Sequence, residues 1–221
     1  MLVRSLFGGG LPSLIMFDLD GTLVDSVPDL ASAVDKALLM AGLNLAGEEK
    51  VRAWVGNGVE RLVERAVVDQ KKRLKFDEVL ESFQIIYSEA YSNHTYIYPG
   101  VISFLEKCRS KNIKLSVITN KPECFTLPLL KDLNIRHYFC NVLSGDSFYE
   151  KKPHPFPLRY QLNLSQVCSS QSLMIGDSIS DLQAAKAAGV PFLGVSYGYN
   201  HGEPLGDFCS TVVDSFDEIN F

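Results

Sequence analysis

Five short, almost wholly apolar runs are spread along the chain, at 14–18, 114–119, 139–144, 172–176 and 191–196. Between the later runs lie stretches with helical spacing, at 101–110, 122–132, 155–162 and 179–188. A strand that is apolar at consecutive positions must be covered on both faces, which is the condition of a strand in a parallel sheet with helices on either side. The alternation of such strands with helices limits the chain to an α/β class, an open, mostly parallel sheet flanked by helices and joined by right-handed crossovers. The stretch TVVDSF at 211–216 is a candidate edge strand.

The alternation is interrupted once. About ninety residues separate Asp20 from Lys114, far more than one crossover helix needs. The helix at 101–110, introduced by Pro99-Gly100, supplies the crossover, so the segment 26–97 is left without a strand of its own. It reads as helical. Within 28–42, Leu30, Ala33, Val34, Ala37, Leu38 and Ala41 recur at i, i+3, i+4 spacing, with Pro28 suited to the start and Gly42 to the end. Further helical stretches cover 48–54, 58–69 and 76–92. The expected organisation is a core domain of residues 1–25 and 96–221, with a helical cap domain, 26–95, inserted after the first strand. Such an insert sits over the C-terminal edge of the sheet, where ligands bind in this architecture. Hinges are expected near 24–28 and 94–99.

Composition narrows the partners. The net charge is −5, which argues against nucleic acid, where a basic patch is expected. No run reaches the ~18 consecutive apolar residues of a membrane span. The N-terminal MLVRSLFGGGLPS lacks the apolar stretch and cleavage site of a signal peptide, and its glycines suggest a flexible lead-in. Cys108, Cys124, Cys140, Cys168 and Cys209 form no CxxC pair. An odd, scattered set fits reduced thiols in a cytoplasmic protein, each expected as a small core hydrophobe. Oligomeric state is not readable, and both a monomer and a homodimer stay open.

The chemistry-bearing residues cluster at strand ends. In LIMFDLDGTLVD, 14–25, Asp18 and Asp20 follow directly on a buried strand. Two carboxylates so close repel each other and resist burial, so a positive group, or a proton to be received, is expected nearby. The C-terminal ends of adjacent strands converge in such a sheet. The second strand ends in Thr119-Asn120-Lys121, and the third in Ser144-Gly145-Asp146-Ser147, followed by Lys151-Lys152-Pro153. The fourth ends in Gly176-Asp177-Ser178, with Asp181 four residues after Asp177. Carboxylates, a hydroxyl, backbone amides and a lysine are what a divalent cation and a phosphate together require. Asp146 reads as a loop acid. His94, His137, His154 and His201 show no ligand spacing, and only His201 is a candidate substrate contact.

DLDGT, ITN, KKP and GDSISD, in this order, resemble the four motifs of the haloacid dehalogenase superfamily over about 160 residues. That resemblance implies a Rossmann-like sheet, with the insertion after strand one as its helical cap. WVGNGVERLVERA (54–66), YPGV (98–101), TNKP (119–122), LLKDLNI (129–135), KKPHP (151–155), GDSISDLQAAKAAG (176–189) and YGYNHGE (197–203) extend the similarity to the branch that hydrolyses 2-phosphoglycolate. The resemblance implies a Mg²⁺-dependent phosphatase of a small-molecule phosphate ester, working through an aspartyl-phosphate. Asp18 would be the nucleophile, and Mg²⁺ would be held by Asp18, the backbone carbonyl of Asp20 and Asp177. The Asp20 side chain would move protons, on the same side as Asp18 because alternate residues of an extended segment share a side. Thr119 would offer its hydroxyl and Asn120 its N–H to the phosphoryl group. Lys152 would neutralise charge, and Asp181 would orient a metal-bound water or Lys152.

Substrate choice would come from the cap. Gly56-Asn57-Gly58 is a loop between two helices, a natural probe into the site, with Asn57, Arg61 and Arg65 as candidate substrate contacts. The two arginines also suit pairing with Glu60 or Glu64. A phosphorylation-switch module lacks the second acid and the insertion, and a true dehalogenase lacks the second acid. A phosphatase or phosphomutase of sugar phosphates remains the alternative.

Overall fold

The computed structural model describes residues 2–200 and 204–221, so His201 and the end of the YGYNHGE stretch lie outside the described residues. The chain opens with α1 (Leu2–Leu6), β1 (Leu14–Phe17) and β2 (Val24–Asp25). Four helices follow, α2 (Val27–Met40), α3 (Glu48–Trp54), α4 (Val59–Asp69) and α5 (Phe76–Ala90). The chain returns through β3 (Tyr96–Ile97), α6 (Val101–Ser110), β4 (Lys114–Ile118), α7 (Glu123–Asp132) and β5 (Asn141–Leu143). It finishes with α8 (Phe156–Ser165), β6 (Ser172–Gly176), α9 (Ile179–Ala188), β7 (Phe192–Val195) and β8 (Val212–Val213).

Six strands form one parallel sheet in the order β5-β4-β1-β6-β7-β8. Phe17 of β1 lies level with Val117 on one side and Ile175 on the other. The chain builds outward from β1 to β5, then returns to lay β6 on the other flank of β1. That reversal opens a crevice at the C-terminal ends of β1, β4 and β6. The apolar run of β1 serves both faces. Ile15 and Phe17 join a cluster with α6 and α7 residues, whereas Leu14 and Met16 join one with α8 and α9 residues. Each such side chain, fully buried, contributes about 1.5–3 kcal/mol.

Helices α2 to α5 carry an apolar cluster of their own, with Leu30, Val34, Leu38, Val63, Phe83 and Tyr87 at its centre. Pro28 stands in the first turn of α2, and Gly42 ends the helix at φ +70°. The buried carboxylate of Asp29 accepts the N–H of His94 and the N–H and hydroxyl of Thr95, tying the start of α2 to the returning chain.

Three expectations need correction, and a fourth holds over a shorter range. The segment 26–97 does contain a strand: β3 pairs antiparallel with β2, Val24 opposite Ile97 and Asp25 opposite Tyr96. Two residues are too few for a periodic signal. The N-terminal stretch is not a loose lead-in, because Val3 is fully buried and its N–H reaches the Asn220 carbonyl at 3.1 Å. Its apolar residues find the groove beside α6. Only Cys108 is a core residue; Cys124, Cys140 and Cys168 are exposed and Cys209 is half-buried. The edge strand expected at 211–216 forms beside β7, over Val212–Val213, and Phe216 opens a short 3₁₀ turn that stacks its ring on Phe17. Among the described residues no helix is long and apolar enough to cross a membrane.

Candidate active site

Asp18 stands one residue beyond β1, with its N–H on the Ile175 carbonyl at 3.0 Å, so β6 fixes its backbone. Its Oδ1 accepts the Leu19 N–H at 2.7 Å and lies 2.8 Å from Lys152 Nζ. The same ammonium is 2.7 Å from Asp181 Oδ1. Asp181 in turn accepts the Ser178 hydroxyl at 2.7 Å, within a capping box that starts α9. Asp177, at the end of β6, accepts the Thr22 hydroxyl at 2.6 Å and the Tyr199 N–H at 2.7 Å. All these groups are buried.

One ammonium therefore pairs with two of three clustered buried carboxylates, and the titration of the acids reflects the imbalance. Burial pushes the Asp18 carboxyl up to about 7, with Lys152 pulling it down and Asp181 adding to the rise. Burial, then the charges of Asp18 and Asp181, hold Asp177 well above the usual carboxylate range. Asp18, Asp177 and Asp181 bring one carboxylate oxygen each to within 4.8 Å of one another. A compact all-oxygen set carrying excess negative charge fits a hard divalent cation such as Mg²⁺.

The backbone makes room for this set at two glycines. A Cβ on Gly21, at φ +83°, would stand 2.3 Å from Asp177 Oδ2, and one on Gly198 would stand 2.3 Å from Asp177 Cβ. Gly21→Ala displaces Asp177 as well as straining the turn. Its activity should fall at least about tenfold and the Mg²⁺ concentration for half-maximal activity should rise by a similar factor, measured by phosphate release across a Mg²⁺ titration.

Across the crevice stand the ends of β4 and β5. Asp18, Asp20, Thr119, Asn120 and Lys121 line a cleft of about 30 Å³, closed on the helical side by Leu30, Val55, Gly56, Gly58, Val59 and Leu62. The buried Asn120 side chain donates to the Gly56 carbonyl at 3.1 Å and the Lys152 carbonyl at 3.0 Å, joining three loops. Asp20 does not share the acidic cluster. Its Oδ1 accepts the Ser26 hydroxyl at 2.6 Å, and Lys121 Nζ lies 3.2 Å away.

Other residues singled out in the sequence lie to the side. Lys151 is 3.9 Å from Glu60 at the surface, and Asp146 caps α7 by accepting the Glu123 N–H. Arg61 pairs with Glu64. Arg65 donates to the Trp54 carbonyl and to Asn57 Oδ1, so Asn57 and Arg65 brace the 54–58 loop. Asn57, Arg61 and Arg65 border a neighbouring crevice with Lys151 and Lys152, rather than the cleft over Asp18. Sequence reasoning gave no role to Thr22, Ser26, Tyr87, Lys121 or Tyr199. Lys121 had a signal, its place beside Thr119 and Asn120. Tyr199 meets Asp177 through its N–H, which every residue but proline carries, while its hydroxyl donates to Asp25 and accepts the Ser26 N–H, a long-range contact with no local pattern.

The haloacid dehalogenase-like hydrolase family model matches residues 15–195. The chain belongs to that family. It is 48% identical over 214 residues to the phosphoglycolate phosphatase of Pseudomonas fluorescens strain Pf0-1, covering 95% of this chain and 79% of the relative. It is 45% identical to the phosphoglycolate phosphatase of Nitrosococcus oceani, covering 94% of this chain and 95% of the relative. The crystal structure of a predicted phosphoglycolate phosphatase from Haemophilus somnus 129pt matches with a TM-score of 0.88 at 37% identity, over 92% of this chain and 94% of that one. By family and relatives, the chain is a phosphoric monoester hydrolase of the phosphoglycolate phosphatase type.

Proposed function

We propose that the protein is a Mg²⁺-dependent phosphatase that hydrolyses 2-phosphoglycolate to glycolate and phosphate through an aspartyl-phosphate on Asp18. The observation that carries this reading is the seating of a buried carboxylate, Asp18, against Lys152 and an acidic cluster, with Thr119 and Asn120 facing it across the same cleft. The identity of the phosphoglycolate phosphatase relatives supports the substrate.

Asp18 attacks phosphorus, forming the Asp18 O–P bond as the bond to the leaving oxygen breaks. Asp20 gives its proton to that oxygen and releases glycolate, then takes a proton from water as the water oxygen attacks phosphorus. The Asp18 O–P bond breaks, and phosphate and the free carboxylate result. Thr119 and the Asn120 N–H hold phosphoryl oxygens, and Lys152 offsets the negative charge gathered around Asp18. Asp181 holds Lys152 in place through the 2.7 Å contact. Mg²⁺, held by Asp18, Asp177 and the Asp20 backbone carbonyl, supplies charge stabilisation to the phosphoryl oxygens when bound.

Residues 26–95 act as a cap over residues 1–25 and 96–221, excluding water from the cleft when closed. Asn57, Arg61 and Arg65 stand beside it, on the neighbouring crevice with Lys151 and Lys152. A phosphate-release screen over small esters, with and without EDTA, tests the substrate. Turnover of 2-phosphoglycolate should exceed that of hexose phosphates by at least about tenfold; comparable turnover of several hexose phosphates would assign a sugar-phosphate enzyme instead.

A further inference from the structure

Lys121 is a buried cation in the wall of the cleft, its side chain 3% exposed. Its Nζ spans both oxygens of Asp20, 3.2 Å from Oδ1 and 3.3 Å from Oδ2, and donates to the Tyr87 hydroxyl at 2.8 Å. It also lies 4.9 Å from the centre of the Tyr87 ring. Tyr87 belongs to α5, the last helix of the 27–90 set, and its ring packs edge-on against Phe125 of α7 at 4.9 Å. The other partner of Asp20 is Ser26, at the N-cap of α2, the first helix of that set. Asp20 is thus held directly by the end of β4 and the start of the helical segment, and through Lys121 by that segment's last helix.

A buried ion pair is weak evidence for stability, because an apolar pair of the same volume often serves as well or better. A lysine retained at the cleft wall therefore calls for another role, and its contacts define one. Among the described residues, Oδ1 of Asp20 has two donors, Ser26 and Lys121, whereas Oδ2 has the longer Lys121 contact alone. This asymmetry pins the carboxylate by Oδ1 and leaves Oδ2 the freer oxygen. Lys121 keeps its second partner only while Tyr87 is seated.

We propose that Lys121 is a positioning residue that aims the Asp20 carboxylate at the leaving oxygen, and that Tyr87 makes this alignment conditional on docking of the helical segment. The inference rests on the acid–base role given to Asp20 above. Proton transfer is then set up when the cleft is covered.

The test compares two esters. The alkoxide leaving from 2-phosphoglycolate needs a proton, and the phenolate leaving from p-nitrophenyl phosphate needs much less help. First-turnover release of the leaving group is measured for wild type, Lys121→Met, Lys121→Arg and Tyr87→Phe. Lys121→Met should slow 2-phosphoglycolate cleavage about 100-fold, with at least about tenfold less effect on the aryl ester. Its KM for 2-phosphoglycolate should stay within about threefold of wild type. Lys121→Arg should recover about tenfold, because a guanidinium also spans a carboxylate. Tyr87→Phe should lower kcat on the alkyl ester about fivefold at unchanged KM.

Equal losses on both esters, or a Lys121→Met rate on the alkyl ester within about threefold of wild type, overturn the proposal. If Lys121→Met does not fold, Tyr87→Phe decides: loss confined to the alkyl ester supports the role, and an unchanged kcat overturns it. Wild-type inactivity on 2-phosphoglycolate beside turnover of another alkyl phosphate overturns only the substrate reading. The same comparison on that ester then decides the role of Lys121.

Discussion

Asp18→Asn lowers phosphate release from every ester by at least about 10⁴-fold, as expected for loss of a nucleophile. The amide keeps the shape of the carboxylate and cannot form the acyl phosphate. The expected stability change runs the other way. At pH 8 Asp18 is a buried charge whose desolvation is costly, offset by a single ammonium that already has Asp181 as a second partner. The neutral variant sheds the desolvation cost and leaves Lys152 paired. The variant should therefore melt no lower than wild type in the absence of metal, read by circular dichroism at pH 8. Residual turnover within about tenfold of wild type would move the nucleophile elsewhere.

EDTA should abolish turnover, and added Mg²⁺ should restore it and raise the melting temperature more at pH 8 than at pH 5.5. The sign follows from Asp18. Its carboxyl titrates near 7 in the metal-free fold, against an ordinary value of 3.8. The folded chain thus holds a proton that the unfolded chain has lost. The stability linked to that proton is fully present below the ordinary value and is lost as pH rises through 7. About three units correspond to on the order of 4 kcal/mol at most. Asp177 adds in the same direction. A cation binds the ionised acids, so it must displace the proton at low pH and meets no such competition at pH 8. Ligand stabilisation grows with effective affinity, so a melting shift equal at the two pH values would contradict the metal assignment.

The sheet was legible because β1, β4 and β6 are covered on both faces, which forces apolar residues into consecutive positions. Helix α2 was legible from its spacing and from Pro28 and Gly42 at its ends. The β2–β3 pair was not, since a two-residue strand has no period and its partner lies some seventy residues away in sequence. Asp18, Thr119 and Asp177 stand out as polar residues ending apolar runs, a contrast visible in one dimension, whereas Lys152 sits in a polar loop and is reached through the resemblance of KKP to a family motif. Tyr87 has no such contrast: with Val79 and Phe83 it continues the buried face of α5, and only the fold shows its hydroxyl meeting Lys121. Arg61 and Arg65 had the charge for a carboxylate, but their partners Glu64, Trp54 and Asn57 are local, and local pairing is the cheaper use of an arginine on a helix.

The paired strands Val24–Asp25 and Tyr96–Ile97, extended by the Tyr98 N–H on the Leu23 carbonyl, carry both covalent links to the helical segment side by side. A hydrogen-bonded strap of two chains resists stretch and shear along its length, and its soft direction is flexure across its plane. If the helices move as the proposed cap, such a strap leaves them one dominant degree of freedom, a swing like a page on its spine. A single spin-label distance between α4 and α8 would then suffice as a reaction coordinate for substrate entry.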